Sequence, residues 1–531
     1  MPAATNFPVI PMDYPDPDVI RVGRTYYMIT TTMHFNPGGE ILRSYDLVHW
    51  EHAAFVFATM DDAPNEAQRL ENTRHVYGSG MWAGSLRYHR GRFYVLFIAN
   101  DTHRSYLFTS SDIDGPWRRQ KMQGFYYDSS LFFDDDDRVY VVHGNTDIHL
   151  TELLADCSGP APSGLDRVVV RDDPARVRLG YEGSHFYKIN GLYYLFVIHW
   201  PHGENGRRTE SCFISESLDG AFTGGDVCDD DMGYRRAGVA QGGIVDDLHG
   251  NWYAMLFQDR GAAGRMPVLV PVKYGPDRLP VFGDHGRVPR VFRTWDNNPG
   301  HRYRPLVGND DFDWPRDDSG APQPKAQWEW NHVPDSRNWR IGTTHDEGKP
   351  CLVFTSAGAA PNVVYARNTL TTRIVYPYCE STITVDGHGL ADGGHAGIVS
   401  LLSAYATAEI TREDGKLYVR MVVRDACDTT LDAMPEDRGP GRELVRHALA
   451  PHCTRVQFKV IYDSRHGTDT SRYLFRTDRE RKWTELGEHD LFWKMDFFTG
   501  CRIGLFCYST TDSSSECRMS DFTISTVPGS S

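Results

Sequence analysis

The chain has 531 residues, 12% of them aromatic, with 49 glycines, 30 prolines and a formal net charge of −15. This length exceeds a single hydrophobic core, so two or three domains are expected. The acidic balance argues against nucleic acids and anionic membrane surfaces as partners, and no apolar run is long enough to span a membrane. The N-terminus lacks the basic and apolar regions of a signal peptide, which predicts a cytoplasmic location.

One layout recurs five times in the first three hundred residues, and its clearest copy is DSSLFFDDDDRVYVVH from Asp128. Each copy has a short apolar strand, a turn with Gly, Asp or Asn, and a second strand with an aromatic residue, which is typical of a β-hairpin. The copies begin at Asp16, Ala83, Asp128, Glu182 and Gln241. Because one hairpin cannot bury its own faces, this repeat predicts stacked neighbours. We expect a closed, five-bladed β-propeller over residues 1–275.

Three of the five copies begin with a carboxylic acid, namely Asp16, Asp128 and Glu182. If their first strands are innermost, the three acids converge on one mouth of the central channel. Cleavage of a glycosidic bond with inversion needs a protonated carboxyl and an ionised carboxylate, roughly 6.5 to 9.5 Å apart. A third carboxylate near the protonated carboxyl would raise the pKa of that carboxyl and keep it protonated near neutral pH. Without a histidine among them, the acids fit this chemistry better than a metal site.

Other residues of the same repeats are candidates for the mouth. Trp82 stands one residue before a strand head, and Phe35 lies in a Gly-rich loop, so either ring could stack on a sugar or simply fill the core. Arg265 follows Gly264 at a turn and could donate to sugar hydroxyls. Pro17 is expected to hold the preceding Asp16 in extended geometry.

Beyond the repeats the composition changes twice. Residues 276–325 are rich in Pro, Gly, Asp and Arg, which predicts a linker packed over the propeller. Residues 326–531 contain roughly a dozen short alternating strands, which predict a two-sheet β-sandwich. The expected fold class is therefore all-β, a five-bladed propeller followed by a sandwich.

Several of these segments closely resemble glycoside hydrolase family 43 over about residues 6 to 275. They are Tyr14–Pro17, Trp82–Ala83, Asp128–Asp135, Glu182–His185 and Gly264–Arg265. The family contains β-xylosidases, α-L-arabinofuranosidases and arabinanases built on a five-bladed propeller. The resemblance implies that Asp16 is the general base, that Glu182 is the general acid, and that Asp128 tunes the pKa of Glu182 and orients it.

The same resemblance implies a substrate pocket formed by Phe35, Trp82 and Arg265. Gln241 stands where many members carry a histidine associated with an axial calcium ion, and this departure argues against bound calcium. A sugar pocket with Gln241 and without the ion is expected, and no cofactor is expected to be required.

Two further segments, Trp328–Asn331 and Phe497–Gly500, resemble the concanavalin-like sandwich that follows the propeller in many family 43 xylosidases. Such a domain is expected to pack on the propeller and lend a loop to the pocket rim. The predicted function is exo-acting, inverting hydrolysis that releases terminal β-D-xylose or α-L-arabinofuranose from hemicellulose-derived xylo- or arabino-oligosaccharides. A homo-oligomer is compatible with this function.

Three other functions share parts of this pattern. An endo-arabinanase would cut within chains, and a non-catalytic carbohydrate-binding propeller would not need three acids at its strand heads. A retaining fructan or sucrose hydrolase should carry Asn-Asp-Pro-Asn and Arg-Asp-Pro motifs, which are absent from the corresponding places. The first two alternatives remain open at this point.

Overall fold

The computed structural model describes residues 8–203, 206–425 and 438–526, together with the backbone of residues 3–5. Within this part the fold is all-β, as predicted. Its helices are four single 3₁₀ turns, Glu71–Thr73, Gly261–Ala263, Ser336–Asn338 and Val363–Tyr365. Over the described ranges, no helix has the length and apolar character needed to cross a membrane.

Five four-stranded antiparallel sheets form the blades of the predicted propeller, and each predicted hairpin supplies the first two strands of its blade. Blade 1 contains Asp18–Val22, Thr25–Thr30, Gly38–Ser44 and Glu51–Phe57; blade 2 contains Met81–His89, Arg92–Ala99, Arg104–Ser110 and Arg118–Lys121. Blade 3 contains Ser130–Phe133, Val139–His143, Asp147–Leu153 and Asp166–Arg171; blade 4 contains Val177–Ile189, Leu192–Pro201, Thr209–Ser215 and Thr223–Cys228. Blade 5 contains Ile244–Asp246, Trp252–Asp259, Arg265–Tyr274 and Pro280–Phe282. The last strand pairs with Val272–Tyr274, so blade 5 continues past residue 275, the boundary expected from the sequence.

A buried polar network joins the innermost strands around the channel. The carboxylate of Asp18 in blade 1 accepts a hydrogen bond of 2.6 Å from Arg87 of blade 2 and lies 3.2 Å from His185 Nδ1 of blade 4. Arg87 also donates to the Ser130 hydroxyl of blade 3 at 2.6 Å. Blade 5 approaches so closely that a Cβ on Gly243 would lie 2.6 Å from Asp18 Oδ1. One carboxylate and one guanidinium thus link the blades below the mouth.

The C-terminal domain is a sandwich of two antiparallel sheets. The first runs Arg442–Ala448, Lys416–Val423, Ala406–Glu413, Gly394–Leu401, Arg502–Ser509, Leu370–Arg373, Glu329–Asn331 and Phe35–Asn36. The second runs Trp339–Thr343, Pro350–Thr355, Glu516–Ser525, Tyr378–Asp386, Arg455–Asp463, Thr470–Thr477 and Thr484–Asp490. The edge strand Phe35–Asn36 belongs to the propeller half of the chain, so the two domains share a sheet.

The segment between the domains lies against the propeller. Val291–Arg293 pairs with Ala3–Thr5, and the Tyr303 hydroxyl accepts a hydrogen bond of 2.9 Å from the backbone amide of Tyr45 in blade 1. A single apolar cluster contains side chains of both domains, among them Met266 of blade 5 and Leu505 of the sandwich. The sandwich is therefore fixed beside one side of the propeller.

Candidate active site

The three predicted acids lie at the same mouth of the propeller, where their charges act on one another. Asp16 precedes the inner strand of blade 1, Asp128 precedes that of blade 3, and Glu182 lies within that of blade 4. The backbone amide of Ser184 donates to the Asp128 carbonyl at 3.1 Å, which ties blades 3 and 4 together at this level. Innermost strands that start from one end of the channel bring together residues more than fifty positions apart.

Asp16 is held by two donors from different parts of the propeller. Arg265 donates to Asp16 Oδ1 at 2.9 Å, and the Thr31 hydroxyl donates to Oδ2 at 2.7 Å. Both side chains of the ion pair are buried, Asp16 at 6% and Arg265 at 5% exposure. A charge-assisted pair of this kind is shorter and stronger than a hydrogen bond between neutral groups. The arrangement suits a base that must be fixed in place.

The backbone at three of the strand heads is left-handed. The φ angles are 51° at Asp16, 45° at Asp128 and 60° at Gln241. The expectation that Pro17 holds Asp16 in extended geometry is therefore wrong, because tertiary contacts override the local preference. Non-glycine residues with positive φ are uncommon and cluster at sites whose surroundings fix them.

Glu182 receives two hydrogen bonds on one carboxylate oxygen. Asn145 Nδ2 donates at 2.6 Å and the Tyr127 hydroxyl donates at 3.3 Å. Burial raises the pKa of Glu182; Arg208 and these two donors act in the opposite direction, and the charge of Asp16 raises the pKa further. Glu182 thus keeps its proton to a higher pH than an exposed glutamate does.

The pKa of Asp128 is raised even more strongly than that of Glu182. Burial, followed by the neighbouring charges of Glu182 and Asp16, raises the pKa of Asp128 well above its ordinary value, with Arg265 opposing. Repulsion between Asp128 and Glu182 acts on both carboxyls, because two adjacent like charges disfavour double ionisation. The pair therefore retains a proton that neither carboxyl would hold alone in water.

Aromatic side chains form one wall of the mouth. The ring of Trp82, whose indole donates to the Gly78 carbonyl at 3.2 Å, lies 5.9 Å from the ring of Tyr127 and 5.2 Å from that of Phe498. Phe498 belongs to the sandwich, and the Arg265 guanidinium lies 4.6 Å from its ring centroid. The sandwich therefore contributes a side chain to the mouth.

Phe35 does not occupy the predicted place. Its side chain is only 1% exposed, and the Arg502 guanidinium lies 4.4 Å from its ring. Because Asn331 pairs with Phe35 across the shared sheet, this residue packs in the domain interface and not in a sugar pocket. The aromatic ring from the sandwich that does reach the mouth is that of Phe498.

Four residues of the site were not identified from the sequence. Tyr127 and Asn145 donate to Glu182, and Thr31 donates to Asp16. Arg208 pairs with Asp259 at 2.5 Å and acts on the pKa of Glu182. Tyr127 directly precedes Asp128 and could have been suspected, whereas the other three are remote in sequence from the acid that they serve.

Gln241, at the position that the resemblance associates with a calcium ion, is in close contact with the neighbouring blade 4. The backbone amide of Gln241 donates to the Glu210 carboxylate at 2.7 Å, and a Cβ on Gly183 would lie 2.8 Å from Gln241 Cγ. Below them, Asp18 faces the guanidinium of Arg87, whose charge opposes a second cation. Over the described ranges, no group of three or more His, Cys, Asp or Glu side chains is placed to hold a metal ion.

Comparison with known proteins agrees with this geometry. The model of glycosyl hydrolases family 43 matches residues 5–280, and that of the beta xylosidase C-terminal concanavalin A-like domain matches residues 316–525. A propeller with three acids at its mouth and a sandwich beside it defines a glycoside hydrolase. The chain belongs to glycosyl hydrolase family 43.

Two relatives have moderate sequence identity to this chain. A beta-xylosidase of Formosa agariphila is 29% identical over 362 residues, which cover 63% of this chain and 59% of that protein. A non-reducing end alpha-L-arabinofuranosidase of Bacteroides ovatus is 27% identical over 324 residues, which cover 58% of each chain. The chain thus spans less than two thirds of the length of either relative.

Solved structures match nearly the whole chain. A bifunctional GH43-CE protein of Bacteroides eggerthii has a TM-score of 0.87 at 33% identity, covering 99% of this chain and 64% of that one. A GH43 glycoside hydrolase engineered to display both endo-xylanase and exo-arabinofuranosidase activity has a TM-score of 0.85 at 25% identity, covering 99% of this chain and 100% of that one.

Proposed function

We propose that this protein is an exo-acting, inverting glycosidase that releases terminal β-D-xylose or α-L-arabinofuranose from xylo- or arabino-oligosaccharides. The observation that carries the proposal is the difference in surroundings between two carboxyls, Glu182 and Asp16, at the same mouth. Burial favours a protonated Glu182, while Asp16 is paired with Arg265. The names of the relatives support the pentose substrates.

In the proposed reaction, Glu182 transfers its proton to the glycosidic oxygen as the bond to the anomeric carbon breaks. Asp16 takes a proton from a water molecule that attacks the same carbon from the opposite face, so the product has the inverted configuration. Asp128 acts through Glu182, since two adjacent carboxyls that disfavour double ionisation keep one proton between them, which Glu182 can donate. The reaction as proposed needs no cofactor.

Exo-action is supported by the contribution of the sandwich to the mouth. Phe498 faces Trp82 at 5.2 Å and packs over Arg265, so the entrance is bounded by both domains. A mouth closed on one side admits the end of a chain more readily than its middle. Both pentoses offer similar hydroxyls to the three acids, so the proposal includes both sugars.

The test compares Glu182→Gln with the wild type on substrates that differ in leaving group. On xylobiose, we expect kcat to fall about 10²- to 10⁴-fold, because general acid catalysis is lost. On a dinitrophenyl pentoside the loss should be much smaller, because that leaving group needs no proton. Asp16→Asn should impair both substrates, while Glu216→Gln, an exposed control, should impair neither.

Proton NMR of the first products gives a separate readout. The initial sugar should have the anomeric configuration opposite to that of the substrate. Near-normal turnover of xylobiose by Glu182→Gln, or initial release of the retained anomer, would contradict the mechanism. Rapid mid-chain cleavage of arabinan without release of terminal sugar would contradict exo-action.

A further inference from the structure

A loop of the sandwich exposes apolar side chains beside the mouth. It follows the strand Thr484–Asp490 and leads to Phe498. Phe492 is 48% exposed and Met495 is 46% exposed, while Trp493 is half-buried. Large apolar side chains grouped at the surface next to a ligand site mark a contact surface.

The rings of this loop continue the aromatic wall of the mouth outward. The Trp493 ring lies 6.0 Å from that of Phe498, which lies 5.2 Å from Trp82. Trp82 in turn lies 5.9 Å from Tyr127, whose hydroxyl donates to Glu182. A continuous series of aromatic side chains therefore leads from the proposed general acid to the exposed loop.

The backbone of the loop contacts the propeller at two places. The backbone amide of Gly500 donates to Asp13 at 2.9 Å, and that of Cys501 donates to the Ala262 carbonyl at 2.7 Å. On the other side, the backbone of Asp496 lies so near Gly78 that a Cβ there would be 2.9 Å from the Asp496 carbonyl oxygen. The backbone of residues 496–501 is thus held against the propeller, and such order lowers the entropic cost of binding.

We propose that Trp493, together with the exposed side chain of the adjacent Phe492, binds the leaving-group part of the oligosaccharide. This inference rests on the proposed function. The series begins at Glu182, which protonates the leaving oxygen, so sugar units beyond that oxygen extend along it. The apolar face of a pentose ring suits an indole surface. The substrate class is accordingly a chain of several sugar units and not a disaccharide alone.

The test is Trp493→Ala, measured on methyl xyloside, xylobiose and xylotetraose. For xylotetraose we expect KM to rise about fivefold to tenfold with kcat within twofold, because binding remote from the reacting bond is equal in ground and transition states. Methyl xyloside should change less than twofold. Phe492→Ala should give a smaller change in the same direction.

Tyr88→Ala is the matched control. Tyr88 is 44% exposed and packs on Phe93 at 4.7 Å, but it lies at the far end of the strand that starts at Met81. This variant should leave all three substrates within twofold. The oligomeric states of the wild type and of the Trp493→Ala, Phe492→Ala and Tyr88→Ala variants should also be compared by light scattering.

An equal loss on methyl xyloside and xylotetraose in Trp493→Ala would overturn the inference while leaving the proposed function intact. Unchanged kcat and KM together with loss of self-association in Trp493→Ala would also overturn the inference, because the loop would then be a subunit contact. A wild type inactive on both xylosides and arabinofuranosides would instead reject the proposed function.

Discussion

At the scale of single residues, Glu182 is governed by opposing effects. Burial raises the pKa of its carboxyl, whereas Arg208, Asn145 and Tyr127 lower it. A general acid must hold its proton at the working pH and still release it, so a pKa near that pH is most effective. The donors also fix the direction of the carboxyl. Orientation and acidity are therefore set by the same hydrogen bonds.

Replacing Asn145 by Ala should separate these two roles. Loss of a donor to the carboxylate oxygen raises the pKa of Glu182, because that hydrogen bond favours the ionised form. The basic limb of the kcat/KM profile against pH should move to higher pH, and kcat should fall about tenfold. Asn298→Ala, an exposed control, should change neither quantity. A lower kcat with an unmoved basic limb would show that Asn145 only orients Glu182.

At the scale of elements, one short segment of the propeller positions the sandwich loop. Asp13 accepts hydrogen bonds from the backbone amides of Arg265 at 2.8 Å and Gly500 at 2.9 Å. Gly264 permits this approach, because its φ is 90° and a Cβ would lie 2.3 Å from Asp13 Oδ1. The turn before Arg265 and the loop after Phe498 are thus fixed by one carboxylate.

Asp13→Ala should release both segments. The two amides would lose a buried charged acceptor, which costs about 1–3 kcal/mol of stability. We expect kcat/KM to fall about 10- to 100-fold, because small displacements of positioning groups are costly to catalysis. Asp512→Ala, an exposed control, should behave as the wild type. Stability and kcat/KM would be measured by urea unfolding and steady-state kinetics; an unchanged kcat/KM would refute this role.

At the scale of the whole molecule, buried ion pairs join the two domains. Arg373 of the sandwich lies 2.8 Å from Glu40 of blade 1 and 2.9 Å from Glu329, and Arg502 lies 2.6 Å from Glu329. These four side chains are at most 2% exposed. Burial alone would raise the pKa of Glu40, but Arg373, the largest opposing influence, brings it below its ordinary value. The charges are tolerated because each is compensated within the interface.

Arg373→Met should therefore destabilise the whole protein. Two carboxylates would be left without their shared partner, and breaking a buried pair in this way costs about 3–5 kcal/mol. Arg340→Met is the control, since Arg340 is 52% exposed and pairs with Glu516 at the surface, where such a pair contributes about 0–1 kcal/mol. Urea unfolding measures both. Equal effects of the two variants would contradict the importance of the interface network.

Much of this protein is determined by local sequence. Each hairpin is specified by alternating apolar residues and a tight turn, which are local signals, so five blades and their inner strands follow from the repeats. Asp16 and Asp128 just before their inner strands, and Glu182 within its own, then come together at one mouth. Trp82 and Arg265 follow for the same reason, because each adjoins a predicted inner strand or turn.

Other features of the site depend on contacts between segments that are distant in the sequence. The sequence near Phe35 does not show that this residue pairs with the sandwich, and Phe498 reaches the mouth only because Gly500 is bound by Asp13. Asn145 serves Glu182 across the gap between blades, and Asp16 adopts a left-handed backbone against its local preference. Such features depend on how blades and sheets pack in three dimensions. No short stretch of sequence specifies that packing, because its energy comes from partners that lie tens to hundreds of residues away in the sequence.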